Sequence, residues 1–168
     1  MSQLKGFTII EVLIAVAVIT IGVFGILGVI YQTTSYIALS SSRLVAIYLA
    51  QEGMEIVRNI RDTNWLNNRS WDEGLNIMGE WEAVYDESAL TTFQEGRNLK
   101  TNGGFYNYSS GQDTKFTRKI TISDPGLTSC GDVICLSVKS EVSWQYFGKS
   151  QKAETEGYLY NWLQQELP

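Results

Sequence analysis

From Val12 to Ile30 every position is apolar or glycine except Thr20, and no charged residue occurs between Glu11 and Arg43. In a helix this run reaches about 28 Å, the thickness of a bilayer's hydrocarbon core. The chain then turns polar, with Gln32, Thr33, Thr34, Ser35 and Ser40-Ser41-Ser42, but no proline interrupts it. From there Ala46, Leu49, Ala50, Gly53, Ile56, Val57 and Ile60 share one arc of a helical wheel. Gln51, Glu55, Arg58, Asn59 and Asp62 lie opposite. The spacings Glu55–Arg58 and Arg58–Asp62 suit weak surface ion pairs. The pattern predicts one continuous helix of about 55 residues, apolar all round in its first half and amphipathic in its second.

Further on the period changes from helical to alternating. Phe116, Arg118, Ile120 and Ile122 alternate with Thr117, Lys119 and Thr121, and a turn follows at Asp124-Pro125-Gly126. A long strand takes in Ile134, Leu136, Val138, Val142, Trp144 and Tyr146. Past Phe147-Gly148-Lys149 a third strand runs from about Gln151 to Trp162. Connections this short make the three strands antiparallel. The sheet needs a cover for its apolar face, and the amphipathic helix supplies it, giving an α+β fold. Residues 65–114 are harder to read. Glycines at 74, 79, 96, 103, 104 and 111 mark turns, and Trp81–Tyr85 and Phe105–Tyr108 suggest two short strands.

Composition narrows the chemistry. The 168 residues contain no histidine, which removes Ser-His-Asp and Cys-His catalysis and histidine metal sites. The 13 basic side chains are outnumbered by 18 acidic ones, for a formal net charge of −5. That balance argues against nucleic acid as the main ligand. Asn68-Arg69-Ser70 and Asn107-Tyr108-Ser109 match the glycosylation triplet, a pattern too short to carry weight. The acids and amides of Asp62–Glu73 miss the EF-hand spacing, and acidic loop residues are usually just solvated. A perturbed carboxylate pair among Asp72, Glu73, Glu80 and Glu82 is not required by their spacing. No metal, cofactor or enzymatic activity is expected.

Cys130 and Cys135 flank Gly131-Asp132-Val133-Ile134. Two thiols alone cannot close a zinc site, and they are not a CxxC redox motif. They are read as a disulfide closing a small loop outside the membrane, with a reduced, partly buried pair as the alternative. Gly22, Gly25 and Gly28 recur every three residues, allowing either close helix packing or a segment that stretches and unwinds.

The anomaly is Glu11. A carboxylate at the edge of an apolar run is costly and marks a functional site whose partner must be found. A secretory signal would show a small-x-small cleavage site after a shorter core. A plain anchor leaves Glu11 unexplained, and a buried soluble helix is at odds with the length. Lys5-Gly6-Phe7-Thr8-x-x-Glu11 followed by the aliphatic run resembles the class III signal of type IV pilins and type II secretion pseudopilins. The resemblance implies a leader, residues 1–6, cut between Gly6 and Phe7 on the cytoplasmic side by a prepilin peptidase. Phe7 is then N-methylated, and Glu11 pairs with the amino terminus of a neighbouring subunit during assembly.

A looser similarity joins Leu49-Ala50-Gln51-Glu52-Gly53-Met54-Glu55 and the Asn161-Trp162 ending to minor pilins of the PilV and GspI type. The implied organisation is a filament-core membrane segment over 7–30, an amphipathic helix over 31–64, and an extracytoplasmic β-rich domain over 65–168. Implied partners are membrane lipid, an inner-membrane assembly platform and other pilin subunits. A membrane-anchored binding module is the rival reading.

Overall fold

The structure, a computed structural model, describes residues 6–85, 89–125 and 135–163. Among the described residues one helix, α1 (Ile9–Leu66), is followed by eight strands. These are β1 (Gly79–Glu82), β2 (Thr91–Thr92), β3 (Lys100–Asn102), β4 (Phe105–Asn107), β5 (Gln112–Asp113), β6 (Phe116–Ser123), β7 (Cys135–Tyr146) and β8 (Lys149–Tyr160). The chain divides into two compact units between Ser41 and Ser42.

The first unit is the N-terminal part of α1. Residues 6–34 are all exposed, and the span's most apolar 18-residue window, of mean hydropathy 2.9, has none of its residues buried. Four of its hydroxyls are satisfied within the helix: Thr20, Thr33, Thr34 and Ser35 each donate to the carbonyl four residues earlier, at 2.7–3.1 Å. A Cβ placed on Gly22, Gly25 or Gly28 meets nothing within 4 Å, so these glycines serve no packing inside this chain.

The second unit is a five-stranded antiparallel sheet, ordered β2-β1-β6-β7-β8, with the remainder of α1 on one face. The wheel is borne out: Ala46, Leu49, Ala50, Gly53, Ile56, Val57 and Ile60 are buried, and the five polar positions opposite are exposed. Met54, Val57, Ile60 and Trp65 pack with Leu75, Ile120, Ile122, Leu136, Val138 and Leu159 as the core. Alternation along β6 matches the reading from sequence, because Phe116, Arg118, Ile120 and Ile122 all face inward. Glu55 pairs with Arg58 at 2.8 Å, whereas Asp62 pairs with Arg61 instead of Arg58.

Helix and sheet approach closely at Gly53. A Cβ there overlaps Ser140 Oγ and comes within 3.1 Å of Arg118 Cδ. Arg118, fully buried, donates to the carbonyls of Leu49 on α1 (3.3 Å) and Ala83, and lies 3.5 Å from Glu52.

Two boundaries differ from expectation, and a second sheet appears. β1 stops at Glu82, since Ala83 and Val84 leave the strand to become buried in irregular chain. β8 begins at Lys149, directly after a two-residue turn, Phe147-Gly148. A second sheet, ordered β4-β3-β5, occupies the stretch that was hardest to read. Leu99 N–H donates to Phe116 O, and Thr114 N–H to Leu99 O, tying this small sheet to the start of β6. In the β7–β8 turn, Phe147 has φ +46° and Gly148 φ +71°. A bulky L-residue in this left-handed region costs roughly 1–2 kcal/mol.

Candidate functional site

Gly6, Phe7 and Thr8 precede the helix in irregular, exposed chain, with Phe7 83% exposed. Thr8 caps α1. Its Oγ1 accepts from Glu11 N–H at 3.3 Å, and its carbonyl accepts from the N–H groups of Glu11 (3.1 Å) and Val12 (3.2 Å). Thr8-x-x-Glu11 thus has the spacing of a capping box, with Glu11 in the first helical turn. Negative charge there is favoured by the helix dipole. Only the forward half of the box forms: among the described residues, the Glu11 carboxylate has no hydrogen bond or ion pair. With the hydroxyls of Thr20, Thr33 and Thr34 bonded within the helix, Glu11 is the polar side chain of this apolar segment whose requirements lie outside it.

The other candidates fare differently. Glu73 pairs with Arg69 (3.3 Å), Glu80 with Lys119 (2.7 Å) and Glu82 with Arg97 (2.9 Å), while Asp72 accepts from Ser70 Oγ. Each of the four carboxylates therefore has a separate partner, and the structure joins none of them into a pair. Cys135 opens β7, is buried and is disulfide-bonded. Cys130 lies outside the described residues, as do Gly126 of the expected turn and Ile134. Among the described residues no three acids or cysteines gather as a metal site.

What sequence reasoning missed is a buried polar cluster at the base of the small sheet. Glu82 is fully buried and accepts from Gln94 N–H (3.0 Å) as well as Arg97. The Arg97 guanidinium lies 4.8 Å from the Tyr108 ring centroid. Tyr108 Oη donates to Arg118 O at 3.2 Å. Burial pushes the Tyr108 phenol up to about 12, with Glu82 adding to the rise and the Arg118 and Arg97 guanidiniums opposing it. A carboxylate in a four-residue strand gives no sequence signal that it is buried, because its cation sits fifteen residues away. Beside the cluster Tyr85 stacks on Phe105 (5.1 Å), bordering a cleft of about 290 Å³ that Arg97 and Asn107 also line.

Residues 1–27 match the family model described as the prokaryotic N-terminal methylation motif. No curated protein and no solved structure matches the chain. The exposed Gly6–Phe7 junction, the capped first turn with Glu11 and the uncovered apolar helix all fall on or just beyond the matched residues. The chain therefore carries, at the head of α1, the class III signal of type IV pilins and pseudopilins.

Proposed function

We propose that this protein is a minor pilin or pseudopilin: a structural subunit rather than an enzyme, built into a type IV pilus-like filament through α1. The single observation that carries the reading is Glu11. It stands in the first turn of an apolar, uncovered helix, without a partner among the described residues. The Gly6–Phe7 bond, exposed and outside the helix, is open to a membrane peptidase, and cutting it frees an ammonium on Phe7. Glu11 of an incoming subunit attracts the Phe7 ammonium of a subunit already in place. Desolvation offsets much of that attraction in low dielectric, so the pair sets axial register while apolar helix packing supplies cohesion.

The mature amino terminus provides the test. Intact-mass and N-terminal peptide analysis of protein from cells with the processing peptidase should show a chain starting at methylated Phe7. An uncut leader sinks the proposal. Glu11→Ala should be inserted and cleaved normally yet be depleted from filaments at least tenfold. The cleft beside the Tyr85–Phe105 stack favours a second reading, a membrane-anchored binding module, and an uncut chain would favour it.

A further inference from the structure

We propose that the β7–β8 turn is an interfacial foot, placing Phe147 and Tyr146 against an anionic lipid surface while the protein is still membrane-bound. The inference rests on the membrane reading of residues 12–30 and not on filament assembly. Phe147 is 75% exposed at the tip of the hairpin, and its ring meets Tyr146 edge-on at 4.7 Å. Its φ of +46° makes it a poor choice for the turn itself, where Asn or Gly adopts the same backbone without strain. Apart from its contact with Tyr146, this strained and solvated ring takes no part in the core of the second unit.

The occupant follows from where the tip lies. Phe116, at the start of β6, pairs with Trp144 on β7, and β7 continues two residues beyond that pair to Tyr146. Next to Phe116, Lys115 Nζ lies 2.6 Å from Ser42 Oγ, so the tip belongs to the end of the second unit at which the chain enters it. Only residues 31–41 separate Ser42 from Ile30, the last residue of the apolar run. The exposed Arg43, Lys115 and Lys149 lie at this end, beside Asp113, whose carboxylate is 3.8 Å from Lys100. Aromatic rings flanked by cations, close in the chain to an apolar span, are what a headgroup layer with anionic lipid binds.

The test uses the full chain in vesicles of equal parts phosphatidylglycerol and phosphatidylcholine, with flotation first establishing incorporation. A thiol-reactive fluorophore is attached at Ser150→Cys beside the tip, or at Ser123→Cys, about 27 Å farther along the sheet at the far end of β6. The unsubstituted chain gives the background. Headgroup spin-labelled lipid should quench the label at 150 several-fold more than the label at 123, and high salt or Lys115→Gln with Lys149→Gln should weaken this. Phe147→Asn should at least halve the quenching while raising Tm by a few degrees, opposite directions that loss of folding cannot produce. Equal quenching at both positions overturns the foot alone, as does a Phe147→Asn chain that quenches as before or melts lower. Protection of the tip that grows with protein-to-lipid ratio instead assigns it to a protein neighbour and also overturns the proposal. A chain that does not float overturns the membrane reading together with this one.

Discussion

Gly53 and Ser140 face each other where α1 crosses β7, and Ser140 Oγ is buried without a hydrogen-bond partner among the described residues. Gly53→Ala gains helix propensity but overpacks this crossing, since Ser140 Cβ and Arg118 Cδ lie within 3.3 Å of the added carbon. A net loss of about 1–3 kcal/mol is expected in denaturant titration. Ser140→Ala removes the overlapping hydroxyl together with an unsatisfied group, so the double variant should recover at least half of that loss. Additive losses would show that the close approach is not what sets the cost.

Tyr108 makes a second prediction at the same scale. Its phenol titrates near 10 in the unfolded chain and near 12 in the fold, so the folded state holds the proton longer. The corresponding stability is full below pH 10 and falls as pH rises from there towards 12. Tyr108→Phe should lose about 1 kcal/mol at pH 7 from the missing bond to Arg118 O. It should also show a flatter decline in stability than the parent between pH 10 and 12, measured by denaturant midpoints.

Among elements, the short strands at the edge of the large sheet are tied down by charge as well as by ladder bonds. β1 has four residues and β2 two, and Glu82 ties the pair to the 94–97 turn through Gln94 N–H and Arg97. Arg97→Ala leaves a buried carboxylate unpaired. Because Arg97 itself is 38% exposed, some of that cost is screened, and about 2–4 kcal/mol is expected. Adding Glu82→Gln should restore part of it, as a double-mutant cycle would measure.

The longer elements were legible in the sequence because each satisfies one repeating pattern over many residues. The wheel from Ala46 to Ile60 and the alternation from Phe116 to Ile122 place the correct faces inward, including the unexpected cation Arg118. β2, β3 and β5, of two or three residues each, are too short to show a repeating pattern. At the candidate site, Glu11 stood out as a charge at the edge of an apolar run, whereas Gly6 and Phe7 were singled out by the resemblance to the class III signal. The Thr8 cap was not read from the sequence, although Thr8-x-x-Glu11 has its spacing, and only the structure reveals that the carboxylate does not close the box. The Glu82–Arg97–Tyr108 cluster stayed hidden because its burial is decided by tertiary packing.

At the scale of the whole molecule, the two units differ in what surrounds them. The second has its own core under its own helix segment, whereas the first exposes large aliphatic side chains from Ile9 to Ile30. A chain beginning at Tyr31 should therefore be monomeric and cooperatively folded without detergent, while the full chain should need detergent or lipid. Sedimentation and thermal melts of the two would check this, and aggregation of the shorter chain would place essential packing in the residues removed.

The hydroxyls of Thr20, Thr33, Thr34 and Ser35 return their protons to their own helix. Such a rod has almost no unmet polar demand along its body. On the filament reading, passage from acyl chains into a bundle of like rods swaps one oily medium for another at nearly constant free energy. What preference remains comes from close side-chain packing between the rods, with Glu11 fixing their register. A fibre assembled on those terms can be dissolved back into the bilayer by a modest push, and its subunits used again.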